Sequence, residues 1–131
     1  MSDTSSSASA HQLVWGEIPV TDLEAARLFY GAVFKRELSI TSDGPNDMIM
    51  LSVSDSNDAV AGHIYPGKPA PAGVGPTLHL MAPDDLEATA DRVVEAGGKV
   101  LSPAIDIPTG SFIYTQDPDG NSIGWFRFKE S

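Results

Sequence analysis

Asp22-Leu23-Glu24-Ala25 recurs 63 residues later as Asp85-Leu86-Glu87-Ala88. Each copy follows a short apolar segment and opens an amphipathic pattern, so the chain reads as one motif written twice. In the first copy Leu23, Ala26, Tyr30, Val33 and Phe34 fall on one face at helical spacing, and in the second Leu86, Ala90, Val93 and Val94 do the same. The pattern predicts helices near 22–35 and 84–96. Thr21, three residues before Glu24, and Asp84, three before Glu87, read as N-caps with reciprocal acidic partners, and Gly97-Gly98 reads as a C-terminal stop.

Strand-like segments follow each helix: Leu38–Thr41, Met48–Val53 and Ala59–Tyr65, then Lys99–Ser102, Ser111–Gln116 and Ser122–Phe128. Asp117-Pro118-Asp119-Gly120-Asn121 has the residues of a hairpin turn, and Asp43-Gly44-Pro45-Asn46-Asp47 is its counterpart in the first half. Each half is thus expected to run strand, helix, three strands. The modules are residues 12–66 and 77–128, joined by a linker rich in Gly, Pro and Ala over 67–76. Residues 1–11, small and polar, are expected to form a disordered tail.

The chain has 131 residues, 41% of them hydrophobic, enough for one domain with a real core. Its formal net charge of −10 repels phosphate backbones and argues against nucleic acid as a partner. With no cysteine there are no disulfides, thiolate nucleophiles or Cys-ligated zinc, which fits a reducing compartment. No apolar run nears the ~18 residues that cross a bilayer, and the N-terminus lacks the order of a secretion signal. The expectation is a cytoplasmic protein that engages no membrane.

The repeat also carries a register. Aligning Val60-Ala61-Gly62-His63-Ile64 with Ser122-Ile123-Gly124-Trp125-Phe126 gives an offset of 62, one less than the helices. The same offset on the opening strands pairs Ile18 with Leu80 and Glu17 with His79, so the two polar side chains become equivalent positions.

Trp15-Gly16-Glu17-Ile18-Pro19-Val20-Thr21-Asp22-Leu23-Glu24, with Phe29-Tyr30 and Val33-Phe34 behind it, resembles the opening of a vicinal oxygen chelate module. Asp117-Pro118-Asp119-Gly120-Asn121 resembles that superfamily's closing turn. The group includes glyoxalases, bleomycin-resistance proteins and extradiol dioxygenases, and the likeness spans roughly residues 12 to 128. It implies an α+β fold of two βαβββ modules forming a curved mixed-sheet cup with helices outside, and commonly a homodimer. Known activities on this fold are too varied for the fold to name the reaction.

Metal-using members of the superfamily bring His, Gln or Glu side chains from opening and closing strands onto one divalent cation, a Lewis acid for neighbouring substrate oxygens. Carried across, the closing-strand position three residues after Asn121 falls on Gly124, whose mate under the offset is Gly62. The usual opening position falls on Trp15, with Thr77 its mate. That four-ligand set is missing. Glu17 and His79 remain, two residues further along the same strand face, either as catalytic or metal-binding groups or as a buried hydrogen-bonded pair joining the modules. By alternation His63 lies on the face opposite Gly62, toward the helix, with a role as a third metal ligand only if a bulge turns it. Trp15, Gly62, Gly124 and Phe126 are candidate ligand-contacting positions, the glycines leaving room and the aromatics stacking or filling core. Three functions remain open. One is a glyoxalase-like protein acting as a lyase, isomerase or dioxygenase with Zn, Fe, Mn or Ni. Another is a metal-free binding protein that sequesters a small aromatic or hydrophobic compound. The third is a divergent module kept for protein association.

Overall fold

The computed structural model describes residues 12–42, 46–51 and 61–129. The expected tail over 1–11, residues 43–45 of the expected turn over 43–47 and the ends of two expected strands at 52–53 and 59–60 lie outside the described residues. The first half runs β1 (Trp15–Val20), α1 (Leu23–Phe34), β2 (Ile49–Met50) and β3 (Ala61–Pro66). The second runs β4 (Leu78–Met81), α2 (Leu86–Glu95), β5 (Lys99–Val100), β6 (Ile105–Ile107), β7 (Gly110–Gln116) and β8 (Ser122–Phe128). Two βαβ-type halves of one design are present, as the repeat implies. No helix of the described residues is long and apolar enough to cross a membrane.

The strands form two hydrogen-bonded sheets, one of order β1-β3-β2 and one of order β4-β8-β7-β5 with β6 on β7. Each sheet pairs its opening and closing strands parallel, β1 with β3 and β4 with β8, and is antiparallel elsewhere. Ile18, Val20, Ile49 and Ile64 of the first sheet and Ile113, Ile123 and Trp125 of the second point into one core with Phe29, Tyr30 and Val33 of α1 and Val93 of α2. Phe34 at the end of α1 packs edge-on against Trp125 of the other half, ring centroids 5.1 Å apart. One face of each sheet is therefore sealed in a shared core, and the alternate side chains are left on a face that carries no helix.

Local chemistry explains where the helices start and stop. The N-caps are Asp22 and Asp85, whose carboxylates accept from the backbone N–H groups of Ala25 and Ala88. Thr21 and Asp84, the expected caps, each lie one residue earlier and have other partners. Thr21 donates its hydroxyl to Asp119, and Asp84 pairs with Arg92. Glu24 does not reach back to close a box but binds Arg27 on its own helix. Helix α1 ends at Lys35 in the left-handed region (φ 60°, ψ 41°), with Arg36 N–H donating to Gly31 O. At the end of α2 that turn falls on Gly97 (φ 109°), as the glycine pair implies.

On α2 Thr89 is fully buried while Val94 is 58% exposed, so the apolar face is turned by about one residue from the expected one. Among the described residues Leu38–Thr41 pairs through one antiparallel bridge, Thr41 to Met48. In the second half β6 joins the edge of β7, a strand that the sequence does not reveal because Ile105-Asp106-Ile107 is only three residues long.

Candidate functional site

The opening strands display their polar residues on the helix-free faces. On β1 the sequence alternates Trp15, Glu17 and Pro19 outward against Ile18 and Val20 inward. On β4 His79 and Met81 alternate with Leu78 and Leu80. Glu17 and His79 thus occupy matching positions in the two halves.

Parallel pairing puts Glu17 opposite His63 and Ile18 opposite Ile64 on β1 and β3, and His79 opposite Gly124 and Leu80 opposite Trp125 on β4 and β8. The structural mate of Gly124 is therefore His63, not Gly62, and the closing strands are offset by 61. His63 consequently faces outward with Glu17, contrary to the expectation that it points toward the helix. Gly62 faces inward, not into the open face, and no bulge is needed for either placement. It lies against Gly16 of β1, whose carbonyl oxygen would sit 2.1 Å from a Cβ added there. The misreading came from matching glycine to glycine, although those two glycines serve opposite faces.

The first half gathers Trp15, Glu17 and His63. The indole Nε1–H of Trp15 donates to His63 Nδ1 at 2.9 Å, and His63 Nε2 lies 3.4 Å from Glu17 Oε1. The Glu17 side chain is 59% exposed and that of His63 only 15%. Tyr65 closes the other side of the imidazole, ring centroids 5.6 Å apart. A single carboxylate therefore stands at the surface, backed by an imidazole held between two aromatic rings.

The second half gathers aromatics around His79. Its ring lies 4.9 Å from Phe112, 6.0 Å from Tyr114 and 6.2 Å from Phe126, measured between centroids. Phe126 stacks nearly parallel to Phe112 and meets Phe128 edge-on. Crowding by these neighbours takes the imidazole below its ordinary value of 6.5, so the neutral ring is favoured. Gly124 makes room for it: a Cβ there would lie 2.3 Å from His79 Nδ1. His79, Leu80, Met81, Ile107, Phe112, Phe126 and Phe128 line an open, largely apolar pocket of about 380 Å³. Sequence reasoning singled out His79, Gly124 and Phe126 but missed Phe112 and Phe128. The alternation Phe126-Arg127-Phe128 along β8 was the available signal.

No hydrogen bond or ion pair joins Glu17 to His79 among the described residues, and each has its own neighbours. Nor do three or more His, Asp or Glu side chains come together there in a group able to hold a metal. The donors do not fit the superfamily's metal set on chemical grounds. The position at Gly124 has no side chain and its space is filled by His79. At its mate, His63, one nitrogen already accepts from Trp15.

Residues 10–124 match the family model described as the Glyoxalase/Bleomycin resistance protein/Dioxygenase superfamily. A curated relative, CFP32 of Mycobacterium bovis, provisionally named a glyoxylase, is 33% identical over 116 residues. The match covers 86% of this chain but 44% of that protein, so the chain spans less than half of the relative's length. Among solved structures, a glyoxalase/bleomycin resistance protein from Albidiferax ferrireducens superposes with a TM-score of 0.63 at 24% identity, covering 88% of this chain and 98% of that one. The fosfomycin resistance protein FosX of Mesorhizobium loti gives 0.60 at 18% identity, with 88% and 90% covered. At such identities these structures speak for the fold alone.

Proposed function

The chain belongs to the glyoxalase/bleomycin resistance protein/dioxygenase superfamily, and from that premise we propose that it binds a small aromatic or hydrophobic compound on the helix-free face of its second sheet. The observation that carries this reading is the pocket of about 380 Å³ lined by Phe112, Phe126 and Phe128 beside a His79 that favours its neutral form. That volume lies within the ~300–1,000 Å³ range of small-molecule sites. Stacked and edge-on rings offer a ligand the offset and T-shaped contacts that aromatic groups prefer, worth about 1 kcal/mol each beyond simple burial. His79 supplies the polar contact that orients the ligand, with one ring nitrogen donating and the other accepting.

The dye 1-anilinonaphthalene-8-sulfonate is a suitable probe, read by fluorescence. The folded protein should bind it, and Phe126→Ala should weaken binding about tenfold, the equivalent of ~1.4 kcal/mol. Binding that is unchanged in Phe126→Ala would end the assignment of this pocket.

A second reading, an enzyme, draws on the exposed Glu17 carboxylate in contact with His63. There Glu17 takes a proton from a bound compound as general base and His79 acts on the same compound from the other half. The lyase and isomerase classes need such a proton transfer. Elemental analysis for zinc, iron, manganese and nickel in gently purified protein separates this from metal-assisted chemistry on Glu17, His79 and His63. Glu17→Gln should abolish turnover of any substrate found and leave dye binding intact.

Both readings take the protein as a homodimer. Met81 and Phe128, 49% and 63% exposed at the pocket rim, are the groups a second copy would cover. Light scattering that gives a monomer at micromolar concentration contradicts this.

A further inference from the structure

We infer that Trp15 fixes His63 in its Nε2–H tautomer, so that Glu17 and His63 work as a carboxylate oriented by an imidazole N–H and not as a pair of metal ligands. An indole nitrogen can only donate. Its 2.9 Å bond to Nδ1 therefore occupies the lone pair of that nitrogen. A neutral imidazole has a single ring hydrogen, which must then sit on Nε2. The second neighbour asks for the same arrangement. Nε2 lies 3.4 Å from Glu17 Oε1, wider than an ordinary hydrogen bond but close enough for an N–H to be attracted and a bare lone pair repelled.

Turning the ring over does not rescue the alternative. A half-rotation would put carbon where each nitrogen now stands, and the Trp15 bond and the Glu17 contact would both be lost. Backbone register holds the arrangement together. Glu17 is directly across from His63 in the parallel pair and Trp15 lies one pleat earlier on the same face, so both side chains converge on one ring.

A histidine that binds metal through one nitrogen normally donates its other N–H to an acceptor, which fixes the tautomer and raises the ligand's basicity. Here that outer position holds a donor, the reverse of what a metal site requires. A cation on Nε2 would have to strip its proton and push Trp15 off Nδ1, because both N–H groups would otherwise point at each other. What is left for chemistry at this end of the sheet is Glu17, with its carboxylate outward and its inner side against N–H. Trp15 is a positioning residue that acts through His63. The inference holds whether or not the aromatic pocket on the second sheet takes a ligand.

The test reads the imidazole directly. Long-range ¹H–¹⁵N correlation spectra of the full chain, at a pH where His63 is neutral, should show Nδ1 unprotonated and Nε2 protonated. Zinc chloride should leave the His63 signals in place. In Trp15→Phe the tautomers should mix, and zinc affinity read at His63 should rise by about tenfold, the scale of an outer-shell change at a metal site. His63→Ala on that background should remove the gain. Because Trp15 is 43% exposed, its replacement by Phe should leave the core intact. A wild-type His63 protonated on Nδ1 overturns the proposal, as does wild-type zinc binding that disappears in His63→Ala. So does a Trp15→Phe protein in which His63 keeps the same tautomer.

Discussion

Two glycines that look alike in the sequence have opposite environments, and this difference is itself testable. Gly62 stands against the backbone of Gly16, where an added Cβ would come within 2.1 Å of a carbonyl oxygen. Backbone in a parallel pair cannot yield without disturbing the ladder between β1 and β3. Gly124 faces the imidazole of His79, the far end of a side chain that can rotate. Gly62→Ala should cost about 1–3 kcal/mol, the range for overpacking a tight site, measured as a lowered urea midpoint. Gly124→Ala should cost less stability but turn His79 out of the pocket and weaken binding of the aromatic dye. Equal losses of stability in the two variants would mean that the two glycines share one environment after all. The difference was hidden in the sequence because a glycine has no side chain to report which way its position faces. The outward placement of Glu17 and His79 was legible because Ile18 and Val20 on the one strand, and Leu78 and Leu80 on the other, must point the opposite way.

Helices were the most readable elements, since 12 and 10 residues of periodic apolar pattern average out local exceptions. Their bounds shifted by a residue or two because a cap depends on backbone angles, and aspartate follows both Thr21 and Asp84. Strands were read less well. Ile105–Ile107 is too short to show alternation, and among the described residues Leu38–Thr41 has strand composition but pairs only at Thr41. Displacing Asp84 from the cap gave it a different task. Its carboxylate accepts from Arg92 Nη2 and Nη1 at 2.6 and 3.1 Å and from the Thr89 hydroxyl, with Lys35, just past α1, at 3.5 Å. The Arg92 hydrogen bonds, with help from Thr89 and Lys35, hold the carboxyl at about 2, below its ordinary 3.8. A lowered value in the folded state means stability that is present above about pH 4 and is lost as pH falls through about 2. Arg92 also donates to Val33 O of α1, so this cluster joins the two helices. Thermal melts from pH 5 to pH 2 should show a decline that is shallower in Asp84→Asn, a variant less stable at pH 5 but less acid-sensitive. Parallel declines in the two proteins would show that the carboxylate contributes nothing.

At the scale of the whole molecule the turn Asp117-Pro118-Asp119-Gly120-Asn121 does more than connect β7 to β8. Asp117 is 4% exposed, and its two oxygens take four donors: the N–H groups of Asp119 and Asn121, the Asn121 side-chain amide and the Tyr30 hydroxyl of α1. Asn121 also donates to Pro19 O, and Asp119 accepts from the Thr21 backbone and hydroxyl. A turn in the second half is thereby bound to the junction of β1 and α1 in the first. Since the two sheets share no ladder among the described residues, the halves are held together by this network, by the Asp84–Arg92 cluster between the helices and by the common core around Tyr30 and Trp125. They should therefore unfold together. Burial, reinforced by the Asp117 carboxylate, keeps the Tyr30 phenol well above its ordinary value of 10, so it remains a donor across the accessible pH range. Asp117→Ala strands the fully buried Tyr30 hydroxyl and the turn's N–H groups together, at a cost of about 3 kcal/mol. Tyr30→Phe leaves the carboxylate three other donors, so its cost should be nearer 1 kcal/mol. Adding the two changes in one protein should cost less than their sum, because the hydroxyl that Asp117→Ala strands is then gone. Denaturant melts followed by Trp fluorescence and by far-ultraviolet circular dichroism should coincide for the parent protein and for Tyr30→Phe. Transitions that separate in the parent would show two halves folding on their own, and strict additivity of the two variants would show that the turn and α1 are not coupled through this bond.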